Sequence, residues 1–112
     1  MILQQTLGPF PLKINSATER VMIRVAGWEL ARLYVVGPEG VTFAAAIFDV
    51  KQGVVPSMPP VALDSTQTLG PGDDTTTQID VTTIPYLWVT SNTVEGSGTS
   101  EVELYCVVAR EV

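Results

Sequence analysis

Hydrophobic and polar residues alternate with a period of two near the end of the chain. In the segment Ser100–Ala109, apolar side chains occupy every second position and mostly charged or polar ones lie between them. This period is that of a β-strand with one buried face. The pattern assigns to the core Val102, Leu104, Cys106 and Val108.

A second segment of this kind, Ile84–Thr93, comes just before it. Leu87 and Val89 share one face of this predicted strand, and Tyr86 and Trp88 share the other. The residues that join the two segments include two glycines and are typical of a turn. We therefore predict that the two segments pair as a hairpin, which needs further strands to be stable.

The middle of the chain supplies those strands, between turns rich in glycine, proline, asparagine and aspartate. Helix competes with strand in two places. We assign 29–36 to strand because its end, Leu33–Val36, favours strand, and 43–48 because it is short and lies between Val41, Thr42 and Val50. Gly27 then marks a turn or bulge. The predicted strands are Glu19–Trp28, Glu29–Val36, Val41–Lys51, Val61–Leu69 and Thr75–Thr83.

The first 14 residues form a separate element. Met1–Leu7 is extended, and Pro9 and Pro11 exclude a helix or a central strand. Two interpretations remain open, an edge strand of the domain or an N-terminal arm that pairs with a neighbouring subunit. The predicted organisation is this arm or edge strand at 1–14, followed by one domain at 15–112.

About eight short strands, spaced near ten residues apart, predict an all-β fold. A chain of 112 residues is ordinarily one domain. The fold class that follows is a single antiparallel β-sandwich or jelly roll with an extended N-terminal arm.

Charge narrows the possible partners. The chain has a net charge of −6, from 12 acidic and 6 basic residues, and the basic residues form no cluster. Nucleic acid is therefore not an expected partner. No segment approaches the ~20 apolar residues of a membrane span, so no membrane association is expected. The first residues lack the basic region of a signal peptide, which predicts synthesis in the cytoplasm.

Catalysis and cofactors are not expected. The chain has no histidine, the residue most often used as a general base or metal ligand. Its one cysteine, Cys106, lies within a predicted strand and is expected to be a buried apolar residue. A calcium site at Asp73 and Asp74 remains an open alternative, since Ca²⁺ needs only oxygen ligands.

Aromatic residues are the other route to a function. Four of them are candidate anchors of a binding surface: Trp28, Tyr34, Trp88 and Tyr105. With Leu87 and Val89 turned inward, Tyr86 and Trp88 would form an exposed patch, the usual mark of an interaction site. The opposite assignment, with the rings inward, also stays open.

The segments of residues 41–108 follow one another in a characteristic order. They are the strand VTFAAAIFDVKQG, a proline-rich loop, the strands TTTQIDVTT and IPYLWVTSNT, a Gly-Ser-Gly turn, and the last strand EVELYCVV. This order resembles the small β-sandwich proteins of tailed-bacteriophage virions, notably capsid decoration or cement proteins.

This resemblance implies a non-enzymatic structural protein, without catalytic residues or cofactor, on the outer surface of a capsid. The implied partners are the major capsid protein or another virion protein, and further copies of the chain in a dimer or trimer. The candidate interface residues are Met1, Ile2, Leu3, Phe10, Leu12, Tyr86 and Trp88. The alternative is a carbohydrate- or receptor-binding module in which Tyr86, Trp88 and Asn92 form the platform.

Overall fold

The computed structural model describes residues 1–13, 20–36, 48–55, 60–69, 74–91 and 101–112. Within them the chain forms nine β-strands and no helix. The strands are β1 (Ile2–Lys13), β2 (Arg20–Arg24), β3 (Leu30–Val36), β4 (Phe48–Gly53), β5 (Val61–Leu69), β6 (Asp74–Thr75), β7 (Ile79–Asp80), β8 (Tyr86–Ser91) and β9 (Glu101–Glu111). The predicted all-β class is confirmed, as is the choice of strand over helix at 30–36.

The strands form two antiparallel sheets that pack face to face. One has five strands in the order β1-β9-β3-β6, with β7 also paired to β3, and the other has four in the order β2-β8-β4-β5. The predicted β-sandwich is confirmed. The predicted turns at 15–18, 37–40 and 94–99, and the first part of the strand predicted from residue 41, lie outside the described residues.

The predicted hairpin of the last two strands is wrong. β8 lies between β2 and β4 in the four-stranded sheet, whereas β9 lies between β1 and β3 in the five-stranded sheet. Each strand has one apolar face, and the two faces meet across the core rather than side by side in one sheet. The short connection suggested direct pairing, but β9 instead pairs with the first strand of the chain.

The core lies between the inward faces of the two sheets, and period-two alternation selects its residues. The predicted inward faces of β8 and β9 are confirmed, because each of their apolar residues is buried in one cluster. Strands β2, β3 and β4 contribute to the same cluster. Its fully buried side chains include Ile23, Leu33, Phe48, Leu69, Leu87, Val89, Leu104 and Val108.

The segment 75–83 is not the continuous strand that was predicted. It makes two short pairings with β3, one through β6 and one through β7. Between them Thr76, only 3% exposed, accepts a hydrogen bond from the Leu33 amide through its Oγ1, at 3.0 Å. The hydroxyl thus replaces a main-chain carbonyl, and the regular ladder is interrupted.

The N-terminal segment is an edge strand. β1 pairs antiparallel with β9 from Ile2 to Lys13, with a register shift between Leu7 and Phe10. Gly8 lies in that shift with φ at +113°, a region that favours glycine. The boundary predicted at residue 14 stays a prediction, because it lies outside the described residues.

Candidate interaction surfaces

The N-terminal half of β1 is exposed on both faces. Met1, Ile2 and Leu3 are 86%, 62% and 41% exposed, although they are large apolar residues. The strand is nevertheless ordered against β9. The Val112 amide donates to the Met1 carbonyl at 2.9 Å, and the terminal ammonium lies 3.2 Å from Glu111 Oε1. These three side chains are available for the predicted interface, and that role stays a prediction.

Phe10 and Leu12 lie on the inward face of the same strand. Leu12 is fully buried in the core, and Phe10 packs against it. Leu12 has no accessible surface and therefore offers no contact to a partner, whereas the predicted interface role of the half-buried Phe10 stays a prediction. The reason for their inward position is the register, which places Phe10 and Leu12 opposite Leu104 and Val102, two inward residues of β9.

Trp88 does not form the exposed patch with Tyr86 that the sequence suggested. Leu87 and Val89, its neighbours in β8, point inward as expected, but Trp88 itself is only 5% exposed. The Arg20 guanidinium lies over the ring, 4.9 Å from its centroid. Gly53 lies beside the indole nitrogen, and a Cβ at this position would overlap Trp88 Nε1. A buried indole offers no stacking surface to a sugar, and Asn92 lies outside the described residues.

The outward face of the five-stranded sheet is where the structure brings aromatic residues together. Tyr34 of β3 lies directly opposite Tyr105 of β9 in the register. Leu30, Val107 and Ala109 extend this surface along the two strands, and all five side chains are half-buried. We call these five residues the β3–β9 face.

The β3–β9 face is shallowly concave. A groove of about 190 Å³ between β1 and β3 is lined partly by Leu30, Tyr34 and Val107. A larger one of about 510 Å³ continues toward Ile2 and Asp80. The sequence had named Tyr34 and Tyr105 as candidate anchors, but their pairing was hidden because strand register decides it.

Polar groups lie both beside this face and within it. The Tyr105 hydroxyl donates to Glu103 Oε2 at 2.8 Å, and this hydrogen bond raises the pKa of Tyr105. The guanidinium of Arg32 projects from the middle of the face, between Leu30 and Tyr34, and makes no ion pair with another described residue. Tyrosine and arginine are both enriched at protein–protein contacts relative to the rest of the surface.

The described residues contain no group of three or more side chains suited to hold a metal ion. Asp73 lies outside them, so the calcium alternative stays a prediction. Asp80 accepts hydrogen bonds from the amide and hydroxyl of Thr82, which lower its pKa. An aspartate that accepts from the amide two residues later stabilises a turn. This structural role explains the position of the Asp80 carboxylate without a bound ligand.

The chain was compared with known proteins. No protein-family model matches it, and no curated protein matches its sequence. Its fold is similar to the crystal structure of the SPBc2 prophage-derived protein YomS, with a TM-score of 0.70 over 98% of this chain and 96% of that one. The two sequences are 9% identical, so the likeness is one of fold.

Among the described residues there is no helix with the length and apolarity needed to cross a membrane.

Proposed function

We propose that the chain is a non-enzymatic structural protein of a tailed-phage virion, a decoration protein that binds the outer surface of the capsid. The observation that carries the proposal is the fold, which matches a prophage-derived protein over nearly the whole length of both chains. The order of strand segments, which resembles capsid decoration proteins, supports the same function independently of the fold comparison.

The β3–β9 face is the proposed contact with the shell. Paired tyrosines at one end of this half-buried surface are suitable anchors, because aromatic residues contribute most of the binding energy at many interfaces. The net charge of −6 then lies largely outside this contact, since none of its five residues is acidic.

Add-back to capsids tests the proposal. Particles of the encoding phage that lack this gene are mixed with the purified chain and sedimented. We expect the chain to sediment with them, and cryo-electron microscopy to show it on the outer surface. A chain that stays in the supernatant, or that is found in the tail of wild-type virions, would overturn the proposal.

Two tyrosine variants test the contact surface. Tyr34→Ala removes an anchor of the β3–β9 face, whereas Tyr86→Ala makes the same change on the four-stranded sheet, where Tyr86 is also half-buried. We expect Tyr34→Ala to weaken capsid binding by about tenfold or more and Tyr86→Ala to leave it unchanged. The reverse result would move the contact to the surface first suggested by the sequence.

A further inference from the structure

The outer edge of β1 differs from the other sheet edges in the described part of the chain. Edge strands are normally guarded against pairing by charges, prolines, bulges or short length. β2 begins and ends with arginine, and β5 pairs with β4 through a register shift. β6 and β7 have two residues each. The segment Ile2–Thr6 has none of these guards.

Hydrogen bonding to β9 shows which backbone groups of β1 point away from the sheet. The Met1 carbonyl accepts from Val112, so these two residues form a hydrogen-bonded pair of the antiparallel ladder. Such pairs recur at every second residue. The N–H and C=O groups of Ile2, Gln4 and Thr6 therefore point toward the open edge.

We propose that β1 pairs antiparallel with β1 of a second copy of this chain, about a two-fold axis beside Gln4. Only the residues with outward backbone groups can form hydrogen-bonded pairs across the new contact. Gln4 then lies opposite Gln4 of the second copy, and Ile2 lies opposite Thr6. Each pair exchanges two hydrogen bonds, so the contact contains about six.

This edge is a place where charge does not oppose the approach of a second copy. The chain has a net charge of −6, so most contacts between two copies bring acidic groups together. Ile2–Thr6 contains no charged residue. In the proposed register the two Glu111 carboxylates lie roughly 19 Å apart, counted from strand spacing and rise, which exceeds the screening length of about 8–10 Å.

The contact is closed and small. A two-fold contact uses the same edge of both copies and leaves nothing for a third. The register shift at Gly8 and the missing N–H of Pro9 end the pairing after Thr6. A five-residue pairing buries less than the ~1,200 Å² of a standard stable interface, so we expect a reversible dimer that dissociates on dilution.

Opposite charges at Gln4 provide the decisive test, because the axis places this residue opposite itself. The untagged parent chain, Gln4→Lys and Gln4→Glu are studied by sedimentation equilibrium from about 10 µM to 1 mM, a range suited to weak dimers. We expect the parent to dimerise and each variant to associate at least about tenfold more weakly. An equimolar mixture of the two variants should restore dimers.

The control is Val61→Lys, which adds a charge at an exposed position on the β5 edge of the other sheet. It should leave dimerisation unchanged, and thermal unfolding should show that all variants keep the parent fold.

A parent chain that is monomeric at 1 mM would overturn the inference. The same holds if the two Gln4 variants dimerise like the parent, or if their mixture fails to associate. These measurements need no capsid, so they succeed or fail independently of the proposed decoration function.

Discussion

The reactivity of the Cys106 thiol is determined by its position in the core. It lies in the centre of β9 with its side chain in the core. Burial raises the pKa of the thiol to about 12. Since the thiolate is the reactive form, this cysteine behaves as a small apolar residue, as the alternation in its strand predicted.

We expect Cys106 to react with Ellman's reagent at pH 8 at least about a hundredfold more slowly in the native chain than in the unfolded one. The physical reason is double: the thiol is inaccessible and its ionised form is disfavoured. Labelling is followed at 412 nm, with and without denaturant. Cys106→Ala serves as the blank, and rapid labelling of the native chain would contradict the buried placement.

Substitutions of Leu104 test the packing of the core at the level of a single residue. It is fully buried, two residues from Cys106 on the same face of β9. We expect Leu104→Ala to lower the free energy of unfolding by about 2–5 kcal/mol, because the substitution leaves a cavity. Leu104→Asp should prevent folding, since it buries an unpaired carboxylate. Urea unfolding measured by circular dichroism checks both.

The matched control lies next in sequence, on the opposite face. Glu103→Lys changes an exposed residue and should alter the free energy of unfolding by no more than about 0.5 kcal/mol. A Leu104→Ala variant as stable as Glu103→Lys would show that β9 does not pack as described.

At the scale of elements, strand faces follow from local sequence but strand partners do not. β8 and β9 display the predicted alternation, yet they belong to different sheets. β9 pairs with β1, which is about a hundred residues earlier in the chain. The partner is chosen by which arrangement buries all the apolar faces together, and that choice is invisible in any single segment.

Gly8 is the element-scale feature that allows this pairing, and its substitution should be costly for two reasons. Its φ of +113° disfavours other residues, and an added Cβ would lie 2.6 Å from the Leu104 carbonyl oxygen. We expect Gly8→Ala to lower the free energy of unfolding by about 2–4 kcal/mol, since the φ strain and the clash add.

Gly27 separates the two causes. Its φ is +89°, but a Cβ there would meet nothing within 4 Å. Gly27→Ala should therefore cost only about 1 kcal/mol, from backbone strain alone. Both variants are compared by urea unfolding, and equal losses would mean that the approach of β9 contributes nothing.

At the scale of the whole molecule, the two sheets share one core and should unfold together. Trp88 lies in the four-stranded sheet, while the Trp28 ring lies against Arg110 of β9, with the guanidinium 5.1 Å from its centroid. Trp88 therefore reports on the four-stranded sheet, and Trp28 on a contact with β9 of the five-stranded sheet. A single cluster of buried residues joins strands of both sheets.

Single-tryptophan variants measure this cooperativity. In Trp28→Phe and in Trp88→Phe, the fluorescence of the remaining tryptophan and the circular dichroism of the sheets should give the same denaturation midpoint within each variant. The comparison is made within each variant, because the two substitutions change the stability of the chain independently. A fluorescence midpoint that departs from the dichroism midpoint would show that one sheet unfolds separately.

Some features of the candidate interaction surfaces were predictable from the sequence, and others depend on contacts between distant strands. Met1, Ile2 and Leu3 were named from the sequence as candidate interface residues, and they are exposed. The burial of Trp88 could not be predicted, because it depends on Arg20 from β2 and on the space left by Gly53 in β4. The facing of Tyr34 and Tyr105 likewise depends on the β3–β9 register.

By itself, the sequence determined the all-β class, the inward face of each well-patterned strand and the burial of its one cysteine. These follow from local periodicity, because alternate residues of a strand face opposite sides whatever the strand pairs with. Only the tertiary structure decided which strands are neighbours, which aromatic rings are covered and which edge stays open. Those features arise from contacts between distant segments, and their energies depend on the packing of both sheets at once.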